Sequence, residues 1–397
     1  MILQEEPIDQ TAVIQALRDL LDKDEQYQSG RILGSMCTYP NEFAQRLASM
    51  FPEKNLGDPG LFPGTARLED EAIKMMGEIL GSGSVVGNMT TGGSEANIIA
   101  MRVARNLRPL PDPEVILPET AHASFFKAAD FMGFKPRILE VDDNFMIDLG
   151  DLESTLNHNT IAVVGIAGTT ALGLVDPIDQ MGKIINDFDP GIYFHIDAAF
   201  GGFVLPFMRD MGHSFHPYDF SVNAVKSMTS DPHKMGTNLI PSGGFIMRES
   251  VYRDGLGFDI PYLAGGAIKH FNIMGTRPGS VVVAFWGLMK HLGRKGFREI
   301  VSGCWENTKY FRERIREHES YLNVVVEPII NVIGIKSETR TPITEVDRLL
   351  RKKGWYLGLF KNMEPPLIRV VVMPHITRNA IDAFFDDLES ILKELHG

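Results

Sequence analysis

One lysine, Lys234, has the surroundings of an amine that reacts with an aldehyde. It lies within residues 227–236, where small and polar residues precede it, Pro232 stiffens the chain and Gly236 follows. A lysine ε-amine forms a Schiff base with an aldehyde cofactor when a pocket holds it at a fixed point. The composition is typical of a tight turn after a buried strand, for which residues 220–225 are the candidate. A surface lysine in an ordinary loop would have the same sequence, so the interpretation depends on the rest of the chain.

A glycine-containing segment upstream is suited to bind an anion. Residues 90–97 read TTGGSEAN, with an expected strand before them and an expected helix after them. Glycines followed by a helix N-terminus present free backbone N–H groups, and Ser94 next to Gly93 adds a hydroxyl donor. The segment predicts a phosphate site, although it matches neither the P-loop nor the GxGxxG pattern. An N-capped helix without a ligand remains the alternative.

An aspartate at the end of another strand supplies an acid. The run YFHIDAAFGG at residues 193–202 is apolar up to Asp197 and small after it. An isolated buried carboxylate is unfavourable, so Asp197 needs a cationic partner, and a protonated pyridine nitrogen would serve. The small side chain of Ala199 leaves room for a flat ring against the strand end. An aspartate that caps a helix is the alternative.

A histidine and a threonine pair follow two further strands. His122, in ETAHAS at residues 119–124, would stack on a flat ring, cap a helix or lie in the core. In GTTALG at residues 168–173, Thr169 or Thr170 would bond to a ring hydroxyl. An anion site, a ring sandwich, an acid and a reactive amine are the set that pyridoxal 5′-phosphate requires. The combination predicts that cofactor, whereas each part alone is a weak signal.

The elements that must position these residues alternate between strand and helix. The strand-type runs are residues 85–88, 115–117, 137–141, 161–166, 192–196, 223–227 and 245–248. Helical spacing separates the early runs, at residues 94–106, 123–132, 149–156 and 178–188. This alternation predicts an α/β fold with a mostly parallel sheet of seven strands, and ligands at the carboxyl ends of those strands.

Three parts are predicted along the chain. Residues 1–54 form an N-terminal helical segment, residues 55–279 a large cofactor-binding α/β domain, and residues 280–397 a linker helix with a small C-terminal α/β domain. The linker helix, at about residues 280–317, is expected to break between Gly293 and Gly296.

Composition argues against several classes of function. The 397 residues carry a formal net charge of −12 and no basic run, so nucleic acid is not an expected partner. Cys37 and Cys304 form no CxxC pair, so neither a disulfide framework nor a structural zinc site is indicated. No apolar run reaches the length of a membrane span, and residues 1–10 are polar and acidic. A cytoplasmic protein without a membrane partner is expected.

With these motifs the chain resembles the fold-type I pyridoxal-phosphate enzymes, and within them the group II amino-acid decarboxylases. The closest likeness is to the archaeal L-tyrosine/L-aspartate decarboxylase family. It covers nearly the whole chain through NLGDPGLFPGT (55–65), TGGSEAN (91–97), GIAGTTALGLVD (165–176), HIDAAFGGFVLPF (195–207), DPHKMG (231–236) and RVVVMPHI (369–376). The resemblance implies a carboxy-lyase that forms tyramine from L-tyrosine, β-alanine from L-aspartate, or both. In methanogen relatives these products serve methanofuran and coenzyme A biosynthesis.

The resemblance also implies roles for particular residues. Lys234 would be the Schiff-base lysine, Asp197 the partner of the pyridinium and His122 the stacking residue. Further cofactor contacts are expected from Gly93, Ser94, Thr169, Ala199 and His233. The resemblance implies a homodimer with active sites at the subunit interface, to which residues 34–36 and Phe62 would contribute.

One stretch departs from the family. Many group II decarboxylases carry, after the lysine, a loop tyrosine that protonates the product carbanion, but residues 264–274 are short and hold no tyrosine. The proton donor therefore stays open between His270, Tyr262 and His122. Arg369, on a C-terminal strand, is the candidate clamp for a substrate carboxylate, with a surface salt bridge as the alternative.

Other functions stay open as well. HIDAAFGGF and DPHK also resemble sphingosine-phosphate lyase and its bacterial relatives, which cleave a Cα–Cβ bond, and glutamate decarboxylase is a further alternative. A descendant that binds a metabolite without catalysis is the third class, against which the intact Lys234 and Asp197 argue. The amino-acid substrate itself is not fixed by the sequence.

Overall fold

The computed structural model describes residues 3–396 as a layered α/β protein. Its α-helices are α1 (Gln10–Leu21), α2 (Glu42–Met50), α3 (Pro63–Ile79), α4 (Gly93–Leu107), α5 (Ala123–Met132), α6 (Leu149–Thr155), α7 (Ile178–Phe188), α8 (Leu205–Asp210), α9 (Ser250–Asp254), α10 (Gly279–Arg316), α11 (Ile343–Lys352) and α12 (Arg378–His396). Its strands are β1 (Val86–Thr90), β2 (Glu114–Pro118), β3 (Lys135–Leu139), β4 (Thr160–Ile166), β5 (Tyr193–Asp197), β6 (Val225–Ser230), β7 (Gly243–Met247), β8 (Phe258–Ile260), β9 (Ile268–His270), β10 (Leu322–Val324), β11 (Val332–Ser337), β12 (Gly358–Phe360) and β13 (Leu367–Val371).

The central sheet has seven strands in the order β1-β7-β6-β5-β4-β2-β3. Neighbours from β6 to β3 are parallel, whereas β7 runs antiparallel to both β6 and β1. Strand β4 is buried at every position, as expected for a parallel strand covered by helices on both faces. The mostly parallel seven-stranded sheet expected from the sequence is confirmed.

The strand that leads to Lys234 lies later in the chain than expected. Residues 220–224 form turns, and β6 begins only at Val225. The side chain of Arg248 donates to the carbonyls of Phe220 and Val222 at 2.9 and 2.8 Å. These two carbonyls therefore have hydrogen-bond partners without joining the sheet. The expectation of a strand at residues 220–225 is therefore wrong. The polar residues just before the lysine belong to a buried strand instead.

Helix α10 joins two hydrophobic cores. Phe285 lies in the core beneath the central sheet, whereas Phe311 and Ile315 lie in a second core with α11, α12 and the C-terminal strands. The helix breaks at Gly293, whose φ of 53° and ψ of −172° are not helical. The break expected between residues 293 and 296 is confirmed at its first position.

A segment from near the N-terminus completes the C-terminal layer. The C-terminal sheet has the order β10-β11-β13-β12, with antiparallel neighbours throughout. The N–H groups of Leu33 and Gly34 donate to the carbonyl of Tyr356 at 2.9 and 2.7 Å, and the N–H of Val371 donates to the carbonyl of Leu33 at 2.6 Å. Leu33 is fully buried in the second core. These residues thus pack with the C-terminal layer, although they fall within the N-terminal segment predicted from the sequence.

Helix α1 lies outside both cores. None of its residues is buried. Val13, Leu17 and Leu20 share one face and are 43%, 50% and 58% exposed. Across residues 3–396, no helix has the length and apolar character needed to cross a membrane. The cytoplasmic location stays a prediction.

Candidate active site

A cavity of about 320 Å³ lies at the carboxyl ends of β4, β5 and β6, where α4 and α5 begin. Ligands bind at this edge in open α/β sheets, because the strand ends and the helix N-termini converge there. Its wall brings together seven of the expected site residues: Gly93, Ser94, His122, Asp197, Ala199, His233 and Lys234.

Helix α4 begins at the cavity with N–H groups that no side chain caps. Its N-cap is Gly92, which has φ 151° and no side chain to accept from the first turn. A Cβ atom on Gly93 would lie 2.8 Å from Oδ2 of Asp231, so this turn has room only for glycine. Ser94 follows on the wall. The free N–H groups and the positive end of the helix dipole form an anion site.

His233 faces the same part of the cavity. Its Nδ1 donates to the carbonyl of Ser242 at 2.5 Å, which leaves Nε2 for another partner. That atom lies 3.8 Å from Oδ2 of Asp231. In the neutral ring Nε2 can only accept, so the imidazole donates to an anion when it carries a second proton on Nε2.

Lys234 occupies the turn that follows β6. Its Nζ lies 3.2 Å from Oδ2 of Asp231, and its side chain is 19% exposed. The N–H of Lys234 donates to the carbonyl of Asp231 at 3.1 Å, so the turn holds the amine and the carboxylate together. The amine is fixed in the cavity wall, as a covalent attachment point requires.

Asp197 ends β5 with both carboxylate oxygens bonded to N–H donors. Its Oδ2 accepts from Nδ2 of Asn97 at 2.8 Å, and its Oδ1 accepts from the N–H of Ala199 at 3.0 Å. Asp197 is 7% exposed and lies in the cavity wall. A carboxylate oxygen has two lone pairs, so each oxygen can still accept from a cationic donor in the cavity.

His122 is a helix cap and a wall residue at the same time. Its Nδ1 accepts from the N–H of Ser124 at 3.2 Å, which caps α5. Because a backbone N–H only donates, Nδ1 is unprotonated and the ring proton is on Nε2. The capping role that the sequence left open is present, and the ring also borders the cavity, where stacking on a cofactor stays a prediction.

Thr170 reaches the cavity, whereas Thr169 does not line it. Oγ1 of Thr169 accepts from the N–H of Leu174 at 2.9 Å and closes the loop after β4, so the side chain is 2% exposed. Thr170 is part of the cavity wall. Of the two threonines that the sequence left open, Thr170 is the one that lines the cavity, and its contact with a cofactor stays a prediction.

Two of the three candidate proton donors lie away from the cavity of their own chain. His270, in β9, is 9% exposed, and burial followed by the charge of Arg277 lowers its pKa. Tyr262 is 81% exposed to solvent. Of the three candidates, only His122 borders the cavity.

Arg369 is a buried cation just behind the wall. It is 8% exposed, and it donates to the carbonyls of Thr170 at 2.7 Å and Gly34 at 2.5 Å. Burial lowers its pKa to about 10. A Cβ atom on Gly358 would lie 3.1 Å from Nε, so glycine there leaves room for the guanidinium. Both hydrogen bonds go to neutral carbonyls, which leave the positive charge unmatched at these contacts.

A larger groove of about 1080 Å³ adjoins the cavity and shares Thr120, His122 and Thr170 with it. The segment 359–365 forms one side of the groove, and Lys336 and Lys361 lie on its wall. A ligand in the cavity can therefore extend toward the C-terminal layer, along a wall that carries both signs of charge, with Glu119, Asp142, Asp143 and Glu364 beside the two lysines.

The wall also contains residues to which the sequence analysis gave no role. Asn97 bonds to Asp197, and Asp231 lies against Lys234. Both stand within the motifs TGGSEAN and DPHKMG, so a polar residue inside each motif was the available signal. Met36, named from the resemblance as a possible contribution of the partner, lines the cavity of its own chain.

Family and sequence comparisons point to one class of enzyme. A family model described as "Pyridoxal-dependent decarboxylase conserved domain" matches residues 54–337. A probable L-aspartate decarboxylase from Thermococcus gammatolerans is 40% identical over 97% of this chain and 98% of its own length. A probable L-tyrosine/L-aspartate decarboxylase from Methanothermobacter thermautotrophicus is 43% identical over 92% of this chain and 98% of its own length.

Two solved structures share the fold. The glutamate decarboxylase of Lactobacillus brevis has a TM-score of 0.89 at 22% identity, over 100% of this chain and 95% of that one. The sphingosine-1-phosphate lyase of Burkholderia pseudomallei has a TM-score of 0.89 at 23% identity, over 99% of this chain and 92% of that one. At such identities the likeness shows the fold, and the fold-type I architecture expected from the resemblance is confirmed.

Proposed function

The chain belongs to the pyridoxal-dependent decarboxylase family, and on that premise we propose that it removes the α-carboxylate of L-aspartate and, as a second substrate, of L-tyrosine. It is a carboxy-lyase that uses pyridoxal 5′-phosphate. Aspartate occurs in the names of both relatives described above, and tyrosine in one of them, which supports this order. The products would be β-alanine and tyramine, for which coenzyme A and methanofuran biosynthesis are the proposed uses.

The residues around the cavity fit the cofactor. The uncapped N-terminus of α4 at Gly93 suits the phosphate, the Asp197 carboxylate suits a protonated ring nitrogen, and Nζ of Lys234 suits the aldehyde. When bound, the cofactor supplies an acceptor for the electron pair that departing CO₂ leaves on Cα. The convergence of these three groups on one cavity is the observation that carries the proposal.

The residues of the cavity wall have different roles in the proposed reaction. Asp197 holds a proton on the ring nitrogen through its negative charge. Asp231, 3.2 Å from Nζ, orients the amine of Lys234. Thr170 and Ala199 border the space for the ring.

We assign the return of a proton to Cα to His122. In the neutral ring the proton is on Nε2, because Nδ1 accepts from the N–H of Ser124. The form that donates is the imidazolium, so catalysis requires a second proton on Nδ1, in place of that hydrogen bond. It borders the cavity, unlike His270 and Tyr262. A donor within hydrogen-bond reach of the reacting atom is the first requirement of general acid catalysis.

Arg369 is the proposed clamp for a substrate carboxylate. Its guanidinium donates to two neutral carbonyls, one of them that of the wall residue Thr170, and lies 5.3 Å from the centre of the Phe360 ring. A carboxylate that enters beside Thr170 would find a buried guanidinium with a planar fork of donors. The adjoining groove would hold the substrate side chain.

A homodimer is the proposed assembly. The apolar face of α1, formed by Val13, Leu17 and Leu20, is exposed in one chain. Ile240, which borders the cavity, is 63% exposed as well. A second copy that covers both surfaces would close the site, in line with the shared active sites implied by the resemblance.

Carbon–carbon cleavage is the second candidate function. The likeness in fold to a sphingosine-1-phosphate lyase favours it. Both reactions need the same cofactor and the same lysine, so the site alone does not separate them. The family model and the two relatives described above favour decarboxylation.

Release of CO₂ from purified protein with added pyridoxal 5′-phosphate tests the proposal, with L-aspartate, L-tyrosine and L-glutamate compared. We expect release from L-aspartate, slower release from L-tyrosine, and none in Lys234→Ala. Faster release from L-glutamate would contradict the substrate assignment. Aldehyde formation from a phosphorylated amino alcohol, without CO₂ from any of the three amino acids, would establish the carbon–carbon lyase instead.

A further inference from the structure

Behind Asp197 lies a buried amide whose hydrogen-bonding positions are all used. Asn97, in α4, is 1% exposed. Its Nδ2 donates to Oδ2 of Asp197 at 2.8 Å and to Oγ of Ser124 at 3.1 Å. Its Oδ1 accepts from Oγ1 of Thr229 at 2.7 Å and lies 3.2 Å from Nε2 of His195. An amide offers two hydrogens and two lone pairs, so its capacity is filled.

The groups on the oxygen side determine which way the amide points. His195 is fully buried, and burial lowers its pKa to about 4, so the ring is neutral with a single proton. Its Nδ1 lies 2.8 Å from Oγ of Ser227. The tautomer with its proton on Nε2 is the one in which Nε2 donates to Oδ1 of Asn97 while Nδ1 accepts from the Ser227 hydroxyl; Nε2 also lies 3.3 Å from Oγ1 of Thr229. A reversed amide would place its oxygen against Asp197 and its hydrogens against these donors, which is unfavourable at both ends.

We propose that Asn97 is a positioning residue that holds the Asp197 carboxylate for the ring nitrogen of the cofactor, and that His195 and Thr229 fix the orientation of its amide. The inference rests on the proposed role of Asp197. An N–H donor stabilises the charged form of a carboxylate, so the proton shared between Asp197 and the ring nitrogen stays on the ring. The residue His195 of the HIDAAFGG motif thereby acquires a role, although it does not border the cavity.

The same amide connects Asp197 with His122. Ser124 is fully buried and accepts from Asn97, so its own hydroxyl can donate to Nδ1 of His122, 3.0 Å away, and shares the lone pair of that atom with the N–H of Ser124. Two uncharged side chains therefore join the residue expected at the ring nitrogen to the residue expected at the ring face. Asparagine suits the junction because aspartate would lack both donors.

The test is nitrogen NMR of the protein loaded with pyridoxal 5′-phosphate that carries ¹⁵N in its ring. Asn97→Leu removes both donors with little change in volume. The wild-type resonance is expected where protonated pyridine resonates, and the variant resonance should move most of the way toward unprotonated pyridine. The kcat for CO₂ release should fall on the order of 100-fold, while KM changes less than about threefold. An unchanged resonance in Asn97→Leu would overturn the inference.

A matched control separates this effect from the loss of any buried amide. Asn307, in α10, is partly buried and donates to the carbonyl of Ile376 at 2.8 Å, away from the cavity. Asn307→Leu should leave the ring resonance where the wild type has it. A shift of the same size in Asn307→Leu would assign the effect to general loosening and overturn the inference.

A double variant shows through which residue Asn97 acts. Once Asp197→Asn is present, adding Asn97→Leu should move the resonance no further; an additional shift would contradict action through Asp197. If Asp197→Asn alone leaves the resonance unchanged, the proposed role of Asp197 is wrong. If Asp197→Asn moves the resonance and Asn97→Leu does not, only the present inference fails.

A second route is available where Asn97→Leu does not fold. His195→Phe combined with Thr229→Val keeps Asn97 and removes the two donors that fix its amide. This variant should move the resonance in the same direction by a smaller amount. If the double variant keeps the wild-type resonance, the amide of Asn97 does not need the donors His195 and Thr229, and that part of the inference is overturned.

Discussion

At the scale of single residues, two buried charges characterise the site. Asp197 accepts from two N–H groups, and Arg369 donates to two carbonyls. Neutral partners reduce the desolvation cost of a buried charge without cancelling the charge itself. Each residue thus remains able to attract an opposite charge, for which the cofactor is the proposed source at Asp197 and the substrate at Arg369.

Replacing Asp197 should separate cofactor binding from turnover. In Asp197→Asn, Lys234 and the anion site are intact, so the affinity for pyridoxal 5′-phosphate should stay within about tenfold, while kcat falls by about 100- to 1000-fold with the lost charge. Absorbance titration and CO₂ release measure the two effects. Asp219→Asn, at an equally buried carboxylate that Arg209 pairs with away from the cavity, should keep its kcat. A near-normal rate in Asp197→Asn would refute the role.

Replacing Arg369 should weaken substrate binding. Arg369→Lys keeps a charge but loses the planar fork, so KM should rise about tenfold, and Arg369→Met should raise it further. Steady-state kinetics with L-aspartate check this. Arg248 is the matched control, because it also donates to backbone carbonyls but lies away from the cavity. Equal effects of Arg369→Met and Arg248→Met on KM would make the role of Arg369 structural.

At the scale of elements, the loop between β4 and α7 depends on a buried acid. Asp176 is 1% exposed, and its Oδ2 accepts from the N–H of Ile166 at 2.7 Å, which folds the loop back onto the strand end. Burial raises its pKa to about 7. The folded chain therefore favours the protonated form, and ionisation of Asp176 works against the fold.

The pH dependence of stability should reveal this acid. The pKa of Asp176 is higher in the folded chain than in the unfolded chain, so between these two values the folded state binds the proton more fully. The free energy of unfolding therefore falls as the pH rises from about 4 to about 7. Asp176→Asn cannot ionise, so from pH 5 to pH 8 it should gain up to a few kcal/mol relative to the wild type, at about 1.4 kcal/mol per pKa unit. Denaturant unfolding at both pH values measures the difference.

An exposed acid provides the comparison. Asp112→Asn removes a carboxylate that solvent already surrounds, so its stability should follow the wild type at both pH values. If Asp176→Asn and Asp112→Asn show the same pH dependence, the loop does not carry the buried acid described here.

The sequence predicted the elements better than their bounds. Alternating strand and helix patterns suffice for a seven-stranded α/β sheet, because that pattern reflects burial of each element. The start of β6 was placed too early, since Arg248 donates to the carbonyls of Phe220 and Val222 from 26 or more residues away. Such a long-range side-chain bond has no local signature.

Site residues were predictable where a motif carries the chemistry itself. Lys234 and Asp197 stand in such motifs and lie in one cavity. The choice between Thr169 and Thr170 depends on which hydroxyl the loop turns toward Leu174, and the sequence shows both alike. The role of Asn97, in α4, depends on four partners that the fold brings to it from α5, β5 and β6, so no spacing along the chain reveals it.

At the scale of the whole molecule, one chain leaves apolar surface that a second chain would cover. Burial of the exposed face of α1 would stabilise the assembly, since removal of apolar area from water contributes about 25 cal/mol per Å². Its position outside both cores means that this face does not stabilise the single chain. We expect its contribution in the dimer.

Charges on that face should dissociate the dimer. Leu17→Glu with Leu20→Glu should raise the dimer dissociation constant at least tenfold, because two carboxylates would be buried at the interface. Sedimentation velocity measures it. Thr11→Glu with Gln15→Glu adds the same charge to the opposite face of α1 and should leave the dimer intact. A wild-type dimer in the leucine variant would place the interface elsewhere.

The pairing of Leu33 with the C-terminal layer has a consequence for synthesis on the ribosome. The chain emerges from its N-terminus, yet the backbone partners of Leu33 and Gly34 are Tyr356 and Val371. These residues leave the exit tunnel only when nearly all of the chain has been made. During most of translation Leu33 therefore lacks the partners that bury it in the folded protein. A chain that ends before residue 356 cannot form these contacts. The segment around Leu33 is thus synthesised early and reaches its native contacts late.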